Sequence, residues 1–271
     1  MKQPANIAAR RLRDAAAPVP QATPISLIPV LLSRDIQGGD SLADVLLLAM
    51  REQRTVLESG DILVVKHKII SKAESRIVDL ATVRPSQRAR RWARKYKLNA
   101  GVIELALRES RKVIRQGHGV LITETRHGFI CANSGVDASN VDGGRHALLL
   151  PADPDRSARE LYREIRERTA LSIPILVTDS WGRPWREGLV EFCIGIAGMK
   201  PLRDDRGRRD PHGYLLRASV EAVADELACA AGLVCGKLKR SPACIVRGFS
   251  YSRGAGRITH LLRQPEADLF R

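Results

Sequence analysis

Asp179 and Ser180 stand where an apolar run, Ile173 to Val177, breaks off, so that a carboxylate and a hydroxyl arrive side by side. Hard oxygens of this kind suit Mg²⁺ or Mn²⁺. Arg183 and Arg186 follow, two guanidinium groups able to grip phosphate or carboxylate oxygens in bidentate fashion, with Trp181 and Trp185 between and beside them. The chemistry on offer is the handling of phosphates or acids around a cation, at the C-terminal edge of a strand where sheet proteins tend to bind ligands. The same residues also suit an Asx turn with the tryptophans packed as core.

Two further places carry matching chemistry. Lys66, Lys68 and Lys72 follow the apolar run Ile62 to Val65, as in a strand that empties into a polyphosphate-binding turn. Lysines protecting an exposed strand end would look alike. Asp137 and Asn140 sit on a glycine-bearing loop, where a carboxylate and an amide can serve a metal and a nucleotide oxygen together, although plain turns also favour Asp, Ser and Asn.

These residues need elements to hold them. Strands are expected at Ile25 to Leu32, with Pro29 confining it to an edge or an end, at Gly119 to Thr123, at Ala243 to Val246, and at Glu191 to Met199, where Gly195 and Gly198 allow close backbone approach. Helices are expected at Leu42 to Met50, at Val102 to Arg115, at Asp153 to Arg168, and from Val220 to Val234 with Ser219 as cap and Gly236 as stop. A strand, a helix and a strand in succession are consistent with an α/β arrangement.

At 271 residues and 44% apolar content, the chain can bury a real core. No apolar run reaches the roughly 20 residues of a membrane span, and the N-terminus lacks the apolar block of a secretion signal, so a cytoplasmic protein is expected. Five cysteines without C-x-x-C spacing argue for buried free thiols rather than disulfides or zinc. The net charge is +15, and residues Arg84 to Gln116 carry +9 of it, eleven cations against Glu104 and Glu109. Such a segment reads as solvated helix faces or as a phosphate-binding surface. Residues 1–23 read as a flexible basic tail.

With those landmarks, the chain resembles the GTP-dependent gamma-glutamyl ligases that build the tail of the deazaflavin coenzyme F420. The matching words are Ile28-Pro29, Gly60 to Val65 with Lys68 to Glu74, Asn133 to Val141, Leu149 to Asp155, Val177 to Gly188, Val223 to Ala228, and Gly236-Lys237 with Val246 to Gly248. The resemblance implies an α+β fold of mixed and antiparallel sheets with flanking helices, in two intertwined subdomains over residues 24–250, followed by a tail at 251–271. It implies homodimers; that no membrane partner is expected follows from the apolar runs, none of which is long enough to span a bilayer.

The implied reaction joins L-glutamate to coenzyme F420-0 through gamma-linked amide bonds, with GTP as co-substrate and an acyl phosphate between. Asp137, Asp179 and Ser180 would hold two divalent cations, Mg²⁺ or Mn²⁺, with K⁺ as a further candidate ion. Leu27, Ile28, Pro29 and Val30, His67, Lys68, Lys72, Asn140, and Gly236 with Lys237 would line GTP. Arg183 and Arg186 are candidates from the residues themselves for steadying phosphate or the acidic substrates in catalysis. His67 replaces a small hydroxyl residue common in relatives, and Lys237 replaces an amide. The second, flavin-binding half of fused relatives has no counterpart here, so no redox activity is implied. A related amide ligase with another acyl substrate is the first alternative, and a basic nucleic-acid-binding protein the second.

Overall fold

The run Ile62 to Val65 has no polar face, so it is stable as a strand only when covered on both sides. In the computed structural model, which describes residues 23–139 and 142–269, all four of its residues are 2% exposed or less. The chain runs through β1 (Ser26–Val30), α1 (Leu42–Glu52), β2 (Ile62–Lys66) and α2 (His67–Ala73). It continues through β3 (Ile77–Asp79), α3 (Gln87–Tyr96), α4 (Ala100–Arg108), β4 (Ser110–Gly117), β5 (Val120–Thr125), β6 (Ile130–Ala132) and β7 (His146–Leu148). Then come α5 (Pro154–Thr169), β8 (Ile175–Arg183), β9 (Arg186–Ala197), β10 (Arg203–Asp204), β11 (Val220–Glu221), α6 (Val223–Cys235) and β12 (Ala243–Arg247).

The main sheet has the order β1-β12-β2-β8-β9, with β2 and β8 parallel and its other neighbours antiparallel. Pro29 does lie on an edge strand, where its missing N–H costs no ladder bond. α5 packs on β8 and β9, while α6 crosses β1, β12, β2, β8 and β9. Gly195 permits the first contact, since a Cβ there would meet the Pro154 carbonyl oxygen at 2.3 Å.

Between α2 and α5 the chain leaves this sheet and builds a second portion, with the three-stranded sheet β4-β5-β6, the pair β3-β7 and helices α3 and α4. It has its own buried clusters, Ile103, Ala89 and Leu121 in one and Val83, Leu105 and Val136 in the other. Phe129 and Leu150 join the main core and tie the two portions together. The architecture is α+β: among the described strands β2-β8 is the one parallel pair, which corrects the α/β expectation.

Four local expectations are also corrected. The helix from Val102 stops at Arg108, because the segment from Ser110, with the β-branched Val113 opposite Thr123, pairs with β5 instead. Val220 and Glu221 pair with β10, so α6 starts at Val223 and Ser219 does not cap it. Lys66, Lys68 and Lys72 lie on no turn: β2 passes directly into α2. β8 does not end at Asp179 but runs on to Arg183 in a hairpin with β9. Among the described residues, no helix is long and apolar enough to cross a membrane.

Candidate active site

Because β2 and β8 are parallel and in register at Lys66 and Thr178, both deliver their C-terminal residues to one end of the sheet. There a cleft of about 780 Å³ opens. Its floor is Lys66, His67, Thr178, Asp179 and Ser180, and β9 adds Glu191, which lies opposite Ser180 in the ladder. The C-terminus of α6 supplies Gly236, Lys237 and the apolar wall of Leu233 and Leu238, α2 supplies Lys68 and Lys72, and the second portion supplies Asp137. The two carboxylates that the resemblance pairs therefore share one cavity, although they come from different portions of the fold.

Asp137 is held tightly. Lys68 Nζ lies 2.6 Å from its Oδ2, the Ser139 N–H donates to Oδ1 at 2.6 Å, and the Ser139 hydroxyl donates to Oδ2 at 2.9 Å. Burial pushes this carboxyl up, but Lys68 and Ser139 outweigh it and hold the group below the usual carboxylate range. His67 is fully buried, with Nδ1 3.2 Å from the Ser71 hydroxyl. Its Nε2 is 3.3 Å from Asp179 Oδ1 without the alignment of a hydrogen bond. Asp179 Oδ1 instead accepts the Ser180 N–H at 2.7 Å.

Three buried polar atoms around the cleft have no hydrogen-bond partner among the described residues: His67 Nε2, Thr178 Oγ1 and Glu191 Oε2. Such atoms are costly unless something satisfies them. Lys72 and Lys237 have no ion-pair partner among the described residues, whereas Lys66 pairs with Glu191. Counting Arg34 and Arg240, six cations face four carboxylates, Asp35, Asp137, Asp179 and Glu191. The cleft favours an anionic ligand.

Hard oxygens of Asp137, Asp179 and Ser180 fit a divalent cation in kind. Among the described residues no three His, Cys, Asp or Glu side chains form a ligand cluster, so water and phosphate oxygens must complete any coordination shell. Magnesium commonly binds in that way, through one or two carboxylates and a substrate phosphate.

Other sequence candidates fall elsewhere. Arg183 and Arg186 face each other at the end of the β8-β9 hairpin and do not line the cleft; Arg183 donates to the Gly188 carbonyl at 3.1 Å, although its charge is felt at Cys229 on the cleft wall. The continuing ladder carried them away. Trp181 is packing, stacked on Phe192 at 4.7 Å, and Trp185 is exposed. Leu27, Ile28, Pro29 and Val30 are bonded into β1 against β12, and the residues of that segment that reach the cleft are Leu32, Arg34, Asp35 and Ile36. Asn140 lies outside the described residues. Four cysteines are buried free thiols, but Cys229 is exposed. Sequence reasoning missed Glu191, which lies in an unbroken strand and carries no local signal.

Comparison with known proteins identifies the family. The chain matches the family described as F420-0:Gamma-glutamyl ligase over residues 31–248. It is 42% identical to the coenzyme F420:L-glutamate ligase of Methanothermobacter thermautotrophicus, over 91% of this chain and 99% of that one. It is 40% identical to the proteins of that name from Methanopyrus kandleri, over 90% and 96%, and Archaeoglobus fulgidus, over 87% and 92%. With half its length or more matched and relatives of this similarity, the chain belongs to the F420-0:gamma-glutamyl ligase family.

Proposed function

We propose that this protein joins L-glutamate to coenzyme F420-0 through gamma-linked amide bonds, using GTP and an acyl-phosphate intermediate. The observation that carries this reading is the single cleft in which Asp137 and Asp179 stand among six cations. A carboxylate oxygen of the acyl substrate attacks the γ-phosphorus of GTP, and the bond to the β-phosphate oxygen breaks to release GDP. The glutamate amine then attacks the acyl carbon, phosphate leaves, and the amine proton passes to solvent or phosphate.

The first step brings two anions together, so neutralising charge is the main demand on the site. Lys68, Lys72 and Lys237 meet that demand from α2 and the end of α6. Asp137, Asp179 and Ser180 would hold the divalent cations, which supply further charge neutralisation on the phosphates when bound. Leu233, Leu238, Leu189 and Val190 give the cleft an exposed apolar side, which a bound substrate would have to cover to keep water from an acyl phosphate. As in the family's resemblance, the working unit is a homodimer.

The test is to incubate purified protein with GTP, Mn²⁺, L-glutamate and coenzyme F420-0 and to read product mass and GDP. One or more added glutamyl units with matching GDP are expected. Absence of both overturns the reading, and GDP formation only with a different acid would favour a related ligase.

A further inference from the structure

The basic segment between residues 84 and 116 takes no part in the cleft, yet it forms a second recess of about 500 Å³ between α3, α4 and the β4-β5 sheet. Arg88, Arg91 and Lys95 line it at helical spacing from one face of α3. None of the three has a carboxylate partner among the described residues, while the nearby acids are engaged elsewhere, Glu104 by Arg108 and Glu109 by Arg76. Three like charges on one helix face repel, and although Lys95 Nζ lies over the Tyr96 ring at 5.1 Å from its centroid, no carboxylate among the described residues neutralises them.

Other features of the recess narrow its ligand. Trp92 lines it, and the indole N–H of Trp92 is buried without an acceptor among the described residues. Gln87 and Gln116 add amide groups at the rim, whereas Ile103, Leu107 and Leu121 make an apolar floor. A matching ligand carries several carboxylates, amide carbonyls that accept hydrogen bonds, and methylene groups between them. A gamma-linked glutamyl chain has this repeating chemistry. A duplex does not enter a recess of this size, and its phosphates would call for cations spread along a surface.

A short stretch of chain leads from the recess to the cleft. The Leu121 N–H, in its floor, donates to Asn133 Oδ1 at 3.4 Å. Asn133 is four residues before Asp137, at most about 14 Å of extended chain.

We propose that the recess lined by Arg88, Arg91, Lys95 and Trp92 is a second binding site, for the oligo-gamma-glutamyl tail of the ligase's own product. This rests on the ligase reading above. The site raises the number of glutamates added per encounter and takes no part in the first addition.

The test uses the full chain in two separate measurements. Calorimetry with synthetic gamma-linked tetraglutamate is expected to show binding, weakened at least tenfold in the double variant Arg88→Glu/Arg91→Glu and weakened also in Trp92→Phe. Product mass is expected to show an unchanged rate of first addition to F420-0 and a shorter tail in the double variant. These arginines are exposed, so the fold should survive, and Arg88→Gln/Arg91→Gln gives the same comparison without charge reversal. Equal tetraglutamate binding by wild type and both double variants, or none at all, overturns the proposal. So does a tail length that does not change, or retention of a single-stranded oligonucleotide through these residues with no tetraglutamate binding. Tetraglutamate binding that depends on Arg88 and Arg91 in a protein that adds no glutamate to F420-0 supports the site while overturning the ligase reading.

Discussion

His67 Nε2 lies 3.3 Å from Asp179 Oδ1 without the alignment of a hydrogen bond, while Ser71 holds the other side of the ring at 3.2 Å, so a buried imidazole sits beside the carboxylate at the cleft floor with one nitrogen unsatisfied. The Asp179 Oδ1 accepts the Ser180 N–H at 2.7 Å, which holds the carboxylate in place. Asp179→Asn keeps size and shape but removes the charge that would hold a cation. Altering even an indirect support of a metal commonly costs 10–100-fold, so turnover is expected to fall by about 100-fold or more. The melting midpoint should move by less than about 4 °C, the shift of roughly 1 kcal/mol in a chain of this size. Full turnover in this variant would remove the cation role of Asp179.

Lys68 and Asp137 make the cleft sensitive to acid. Burial raises the Asp137 carboxyl, and Lys68 with Ser139 brings it below its ordinary value of 3.8. A carboxyl whose folded value is depressed adds stability that is present above its unfolded value, near 3.9, and is lost as pH falls through the folded one. Replacing Lys68 by Met leaves burial opposed by Ser139 alone, so the carboxyl should titrate at higher pH. Carbon-detected NMR of the carboxyl group reads this directly. An Asp137 titration identical in the two proteins would show that Lys68 does not set it.

Not every motif that was legible in the sequence belongs to the site. Asp61 and Arg247, from two words of the family resemblance, form a two-pronged ion pair with both contacts at 2.8 Å, and neither lines the cleft. Asp155, from a third word, accepts the N–H groups of Ile196 and Ile258 at 2.9 and 3.0 Å. Both are scaffold. Strands such as β2, β8 and β12 were legible because an unbroken apolar run has few other fates. Arg183 and Arg186 misled because composition marks a hairpin end and a ligand loop alike, and only the ladder partner decides where β8 stops. Glu191 was illegible because its role depends on Lys66 and Gly232, neither of which is near it in sequence.

The Asp61–Arg247 pair gives a stability prediction free of catalysis. Asp61 is 1% exposed and also accepts the Glu58 N–H at 2.8 Å, so removing the guanidinium leaves a buried carboxylate without its counter-charge. Breaking a buried pair from one side commonly costs 3–5 kcal/mol. Arg247 is partly solvated, so Arg247→Met is expected to lose about 3 kcal/mol by urea denaturation at pH 7. A loss under about 1 kcal/mol would mean that water already screens the pair.

Gly232 offers a sharper test of the cleft. Inside a helix, Gly→Ala ordinarily stabilises by about 0.8–1 kcal/mol. Here a Cβ would stand 2.6 Å from Glu191 Cγ, a distance that forces movement. The Glu191 side chain is flexible and can swing away, but only by leaving Lys66, its ion-pair partner at the cleft floor. Gly232→Ala should therefore cost little stability, as helix propensity and displacement nearly cancel, while activity falls about tenfold or more because Lys66 and Glu191 no longer hold their places. In Glu191→Ala the obstruction is gone, so adding Gly232→Ala to that background should recover the full gain of roughly 1 kcal/mol. Equal stability effects of Gly232→Ala in both backgrounds would show that Glu191 does not occupy the space beside α6, and the assignment of Glu191 to the cleft wall would fall with it.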